Sequence, residues 1–296
     1  MDKLIVCHKC LKQISYSDNM QYVFCSKCGT RIDILQSNVI AKLLQLANQS
    51  VEYRDYKKAI AYCDRIFEKS DSINEITISA LILKGCCSAY LHTLKSVNFD
   101  FLIKSTNKSM QQLIVIYGNN HSRMNYWINN IINGLHNISI YFYNIAINHY
   151  QKKYLSYTRT DIENIWKCLL ECSKLNNFLL HISNRNAANY YNARLSILKH
   201  QVQCQSELSR KRSHVAQNQK TEIIKISNSK SYLRKDISDT WLYSLPIEIY
   251  QNSKKIYIRC IAEIRNYDNS YSPPKFYGYM KQGTATALGI LSRFLE

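Results

Sequence analysis

Backbone punctuation is scarce in this chain: 296 residues contain three prolines, Pro246, Pro273 and Pro274, and seven glycines. Both numbers fall well below average usage, which excludes a loop-rich or Gly/Pro-turned β fold and leaves residues 30 to 245 with few helix breakers. A stretch that long without them is expected to be helical. So few glycines also leave little material for a phosphate-cradling loop. No G-x-x-x-x-G-K-[ST], H-E-x-x-H or G-x-S-x-G pattern occurs, so the familiar nucleotide-hydrolase, zinc-protease and serine-hydrolase chemistries find no support. Acid is scarce as well: 21 Asp and Glu stand against 39 Lys and Arg, a net charge of +18. No run of eighteen uninterrupted apolar residues exists. The nearest approach, 127 to 150, is broken by Asn129, Asn130, Asn133, Asn137, Asn144 and Asn148, which suit a helix in water and are costly in lipid. With eleven cysteines and no charged-then-apolar leader, the chain is expected to be reduced, soluble and cytoplasmic.

What is present is concentrated at the front. Cys7, Cys10, Cys25 and Cys28 form two Cys-x2-Cys pairs separated by fourteen residues, Leu11 to Phe24. Two cysteines in one tight turn present two sulfurs along an edge of a tetrahedron, so two such turns close around one Zn2+ with no position left for catalysis. Leu4-Ile5-Val6 runs into the first pair and Tyr22-Val23-Phe24 into the second, each an apolar strand ending in a metal-binding turn. Gly29 follows the second pair, where positive φ is commonly required. His8 lies between two ligands and is redundant as a fifth. Residues 1 to 33 are too few to bury a useful core unaided, so the metal is expected to supply much of the folding free energy, about 10–16 kcal/mol of apparent binding.

Through Cys7-His8-Lys9-Cys10 and Cys25-Ser26-Lys27-Cys28-Gly29 this segment resembles the zinc-ribbon class found at the front of many bacterial and archaeal proteins and in transcription factors of the TFIIB type. The resemblance covers about a tenth of the chain. It implies a recognition module, and members of the class bind nucleic acid in some cases and protein surfaces in others.

Apolar residues recur at helical spacing through Val39, Ile40, Leu43, Leu44, Ala47 and Val51. After a break at Tyr53 to Asp55 they resume through Ala59, Ile60, Cys63, Ile66 and Phe67. Two antiparallel helices are expected. The stretch from Asp55 to Phe67 resembles the second helix of a tetratricopeptide repeat, with Tyr56 and Ala59 at packing positions. Asp71-Ser72 stands where that family has a proline. Ala80, Leu83, Gly85, Ala89 and Tyr90 could open a further repeat, since Gly and Ala let helices approach closely. Beyond residue 95 the helices lengthen. A stripe runs through Ile128, Ile131, Ile132, Leu135, Phe142, Ile145 and Ala146. Thr160 with Glu163 reads as a capping box opening a helix with Ile165, Trp166, Leu169 and Leu170, and another carries Tyr191, Leu195, Leu198 and Val202. Paired helices of this kind stack into an α-solenoid or irregular bundle. Twenty-three tyrosines either line a concave peptide-binding groove or wedge helices apart.

From Cys204 to Lys235 eight basic residues oppose two acidic ones. The segment reads as a mobile, basic junction, either a phosphate-contacting arm or a solvated linker. The nucleic-acid candidates are Lys9, Lys12, Lys27 and Arg31 in the ribbon, with Arg210, Lys211, Arg212, Arg234 and Lys235 in the junction. Beyond it, Trp241, Leu242, Leu245, Ile247, Ile249, Tyr250, Ile256, Ile261 and Ile264 suggest a C-terminal helical bundle. Ser272-Pro273-Pro274 marks a rigid turn, and Gly283, Ala285, Ala287 and Gly289 belong to a last helix toward Leu295. Cys168 and Cys172, with His181, form either a second thiol or metal site or small core residues. Arg194 and His200, spaced R-x5-H, are similar to the catalytic motif of HEPN-type helical ribonucleases, in which the histidine serves as acid or base and the arginine contacts phosphate.

The expected fold is mostly α. A β zinc ribbon (1–34) is followed by an α-solenoid or TPR-like helical array (35–205), a basic junction (206–235) and a C-terminal helical segment (236–296). The expected function is that of a non-enzymatic zinc-binding scaffold with a protein partner. Nucleic-acid binding through ribbon and junction is the alternative, and a HEPN-like ribonuclease stands third. No catalytic residue is assigned.

Overall fold

The computed structural model describes residues 3–7, 10, 12–17, 20–70, 73–118, 120–152, 158–183, 190–210, 212–214, 241–243, 246–279 and 283–284. They form two compact units, Met1–His92 with Phe99–Ile131, and Thr93–Asn98 with Ile132–Glu296. The fold is mostly helical: a small antiparallel β module comes first in the chain, followed by eight helices among the described residues, packed in consecutive pairs. No described helix is long and apolar enough to cross a membrane.

In the first unit, β1 (Lys3–Val6) pairs with β2 (Gln13–Tyr16), and β3 (Tyr22–Phe24) pairs with β4 (Arg31–Asp33). Each hairpin ends in one Cys-x2-Cys turn. α1 (Ile34–Glu52) follows β4 without a break and packs on β3 and β4. It ends in a Schellman motif: the Asp55 N–H donates to Ser50 O at 2.8 Å and the Arg54 N–H to Val51 O at 2.9 Å. Arg54 takes φ +59° there, the left-handed conformation that glycine adopts at least cost. Asp55 then caps α2 (Tyr56–Lys69) by accepting from the Lys58 N–H. The break expected at 53–55 is thus a Schellman stop joined directly to an N-cap.

α1 and α2 enclose Ile40, Leu43, Ala47, Cys63 and Ile66 together with Ala80 of α3 (Glu75–Tyr90). Asn74 caps α3 by accepting from the Ile76 and Thr77 N–H groups, while Thr77 Oγ1 accepts from the Asn74 N–H. Tyr56 stacks on Tyr90, ring centroids 5.0 Å apart. Gly85 permits the approach of α4 (Asp100–Tyr117). A Cβ on Gly85 would meet Ser105 Oγ at 2.6 Å and Leu102 Cδ1 at 3.2 Å. The small-residue series read in the sequence therefore has the packing role expected of it.

α5 (His121–Lys152) buries Ile128, Ile131, Ile132, Leu135, Phe142 and Ala146. It leaves Asn130, Asn133, Asn137, Asn144 and Asn148 exposed, which is how a helix in water disposes of its amides.

In the second unit, α6 (Arg159–Ser183) opens on a capping box, but two residues upstream of the expected one. Thr158 Oγ1 accepts from the Asp161 N–H at 3.1 Å and Asp161 Oδ2 accepts from the Thr158 N–H at 3.0 Å. Thr160 is already inside the helix, and Glu163 pairs with Arg159 one turn back. α7 (Tyr191–Ser209) packs on α6 and on α8 (Ile247–Arg265), whose N-cap is Pro246. The segment 266–279, containing the Ser-Pro-Pro turn, is tied back to both helices. Ser206 Oγ donates to Lys275 O, Tyr250 Oη to Tyr277 O, and the Tyr277 N–H to Ser209 Oγ.

The C-terminal part is not wholly helical. β5 (Arg212–His214), β6 (Trp241–Tyr243) and β7 (Gly283–Thr284) form a three-stranded antiparallel sheet, so Trp241, Leu242 and Gly283 occupy strands rather than helices. Residues 211 and 215–235 of the basic junction, residues 236–240 beyond it, and Ala285, Ala287, Gly289 and Leu295 of the expected last helix lie outside the described residues.

Candidate metal centre

The two Cys-x2-Cys turns are built alike. The Cys7 N–H donates to Lys12 O at 2.9 Å and the Cys25 N–H to Thr30 O at 2.9 Å, so each turn is closed across five residues by its first cysteine. In the second turn the Gly29 N–H also reaches Cys25 O at 2.8 Å, and Gly29 takes φ +70°, the conformation that the sequence asked of it. These hydrogen bonds hold the sulfurs on the inner side of the hairpins.

There the four meet. The sulfur pairs Cys7–Cys28 and Cys10–Cys25 lie 3.5 and 3.2 Å apart, and all four sulfurs lie within 4.8 Å of one another. Tetrahedral Zn–S bonds near 2.3 Å place sulfurs about 3.8 Å apart, so the cluster has the size of a four-thiolate zinc site. Cys7 and Cys25 are buried with Ile14 and Ile32, and Cys10, Val23 and Cys28 pack at the edge of the same cluster. The module's small core is thus largely its four cysteines.

Electrostatics fits a cation. Four thiols this close cannot all ionise without one. Cys28 is lowered to about 6, chiefly by the Thr30 hydroxyl hydrogen-bonded to its sulfur at 3.2 Å. Cys10 is pushed up to about 12: a backbone hydrogen bond at Lys12 acts to lower it, but burial and the sulfurs of Cys25, Cys28 and Cys7 outweigh that bond. A divalent ion would let the remaining protons leave. Thr30 was not legible as part of the site, although its place two residues beyond the last cysteine is the available signal.

Among the described residues no other group of three or more His, Cys, Asp and Glu is close enough to share a cation. Cys168 and Cys172 face α5, donating to Phe142 O and Ser139 O at 3.4 Å each, and behave as hydrogen-bonded core residues. His181, at the exposed end of α6, instead borders a cleft of about 610 Å3 between α6, α7 and α8.

Arg194 lines the same cleft but is fully engaged. It pairs with Glu263 of α8 and donates from Nη1 to Leu180 O at 2.8 Å and Ser183 Oγ at 3.1 Å, closing the C-terminal end of α6. His200 points elsewhere on α7. It is 6% exposed, wedged against His136 and Tyr143 and hydrogen-bonded to Asn176 Nδ2 at 3.2 Å. Burial, with the neighbouring His136 second, lowers His200 to about 3. The arginine and histidine of the R-x5-H spacing therefore sit in separate environments and share no solvent-facing surface.

Of the nucleic-acid candidates, Lys12, Lys27 and Arg31 are exposed on the β module. Arg31 lies over the Tyr22 ring, 4.1 Å from its centroid. Arg210 ends α7, bonded to Glu207. Arg212 belongs to β5. Lys9, Lys211, Arg234 and Lys235 lie outside the described residues.

No protein-family model matches this chain, and no curated protein is similar to it in sequence. The functional reading therefore rests on the geometry above.

Proposed function

We propose that this chain is a non-enzymatic, cytoplasmic zinc-binding interaction protein. Cys7, Cys10, Cys25 and Cys28 hold one structural Zn2+, and the helical body recognises a protein partner. The observation that carries the metal assignment is the meeting of four sulfurs within 4.8 Å at the ends of two like hairpins, with no carboxylate or imidazole joining them among the described residues. An all-sulfur, closed donor set suits zinc better than a hard cation and serves structure rather than turnover. The interaction role is supported by large apolar side chains left in water on the body. Phe101, Ile114 and Val115 of α4 and Tyr126 of α5 are exposed, Val115 at 86%.

The metal is tested by native mass spectrometry of the full chain. One zinc per molecule is expected, lost in the Cys10→Ser/Cys25→Ser variant. The scaffold role is tested by affinity capture with zinc-loaded chain beside a Val115→Asp/Tyr126→Asp variant. A stoichiometric protein partner that the variant fails to hold supports the reading. A chain that holds no zinc sinks the first half of the proposal, and one that retains no protein above background sinks the second.

A further inference from the structure

The ribbon's outer face carries side chains that its metal site does not need. β3 and β4 alternate as half-buried strands do: Val23 and Ile32 turn toward the cysteines, and Tyr22, Phe24, Arg31 and Asp33 turn out. Tyr22 is 44% and Phe24 58% exposed, and nearby Met20 is also exposed. The two rings meet edge to face, centroids 5.7 Å apart. The Arg31 guanidinium lies over the face of Tyr22, which holds a cation at the aromatic patch. Lys27, in the adjoining turn, is exposed. Exposed rings at alternate strand positions contribute little to a module whose core is four cysteines and a few aliphatics. Their placement is accounted for by something that stacks on them.

We propose that this face, Tyr22, Phe24 and Arg31, binds single-stranded nucleic acid, with bases stacking on the Phe24 and Tyr22 rings and Arg31 and Lys27 contacting phosphates. Two observations select this occupant. The chain carries +18, which draws polyanions to it. The exposed surface offers flat π faces beside cations, the combination by which single strands are held without sequence readout. A duplex hides its base faces and would find only the charges. Asp33 stands opposite Tyr22 in the strand register, so the patch is not a purely cationic surface and the rings must carry a large share of the affinity. The proposal depends on the folded ribbon and not on the partner of the helical body.

The test uses the full, zinc-loaded chain with fluorescein-labelled oligo(dT), oligo(U) and a DNA duplex of matched length, titrated by anisotropy across a salt series. Zinc content is measured for every variant, so loss of fold is separated from loss of the surface. Single strands are expected to bind more tightly than the duplex. Phe24→Ala should weaken them by roughly 5- to 150-fold with little change in salt dependence. Arg31→Gln should lower the slope of log affinity on log salt by about 0.7. Phe24→Trp, which keeps a stacking ring, should bind at least as well as the parent and show indole quenching on addition of oligonucleotide. Equal affinity for duplex and single strand, unchanged binding by a zinc-retaining Phe24→Ala, absence of quenching in Phe24→Trp, or no binding at low salt would each overturn the proposal. The last outcome would assign the face to a protein.

Discussion

Acid should weaken the second unit through one histidine. His200 is buried as a neutral imidazole among His136, Tyr143, Asn176 and Cys204, and its folded-state value is lowered from 6.5 to about 3. In the unfolded chain it titrates near 6.5, so between those two values the unfolded state binds the extra proton. Stability therefore rises with pH across this window and is lost as pH falls below about 6.5. At about 1.36 kcal/mol per unit, a fall to pH 5 spans about 1.5 units below the unfolded value, which costs about 2 kcal/mol. His136 is lowered by burial as well and adds loss of the same sign. The check is urea unfolding at pH 7 and pH 5, followed by tryptophan fluorescence, for the parent and for His200→Gln. Glutamine keeps an acceptor for the Asn176 amide but cannot take the proton. The parent should lose about 2 kcal/mol more than the variant between the two pH values. Parallel losses in the two proteins would refute the assignment of a buried, neutral His200.

Gly85→Ala should destabilise the first unit by roughly 1–2 kcal/mol, because the new methyl would sit 2.6 Å from Ser105 Oγ and the clash outweighs the gain in helix propensity. Thermal denaturation should show part of that loss recovered in Gly85→Ala/Ser105→Ala, and additive losses would mean the contact is not the cause. Arg54→Gly should raise stability by about 0.5–1 kcal/mol, since Arg54 is exposed at φ +59° and glycine adopts that conformation without strain. A lower melting temperature would contradict the Schellman geometry. Zinc binding near pH 7 should release protons, because the thiols must leave as thiolates and Cys10 holds its proton to about 12. Calorimetry in buffers of different ionisation enthalpy would measure the release, and a heat independent of buffer would rule it out. Chelation should expose the amides of residues 13–33 to hydrogen exchange while those of α6 and α7 stay protected.

The features legible in the sequence are those set within a few residues. The Cys-x2-Cys turns close through hydrogen bonds spanning four or five residues, from Cys7 to Lys12, Cys25 to Thr30 and Gly29 to Cys25, so spacing alone specified them. The asparagines of α5 could be placed in water because a helical period decides which face they occupy. The shift of the α6 capping box from Thr160 and Glu163 to Thr158 and Asp161 marks the limit of local reading. Both pairs have the right spacing, and only the helix start selects between them. The outward turn of Tyr22 and Phe24 was implicit in the strand period, but it became visible only once Val23 and Ile32 were seen packed on the cysteines.

The interior of α7 belongs wholly to the tertiary structure. Arg194, His200, Gln201 and Gln205 are all polar or charged, yet all four are buried. Gln201 Nε2 donates to Ser173 Oγ and Asn177 Oδ1 on α6, and Gln205 donates to Ser173 and accepts from Ser253 on α8. Arg194 meets Glu263, 69 positions further along the chain. A polar side chain can be buried only where partners satisfy it. Those partners come from helices far apart in sequence, so the local sequence of α7 does not supply them and only the packed bundle makes this face an interior one. Short-range spacing is enough to specify the four-cysteine cluster and the helical class. Which polar groups became core was decided only when α6, α7 and α8 came together.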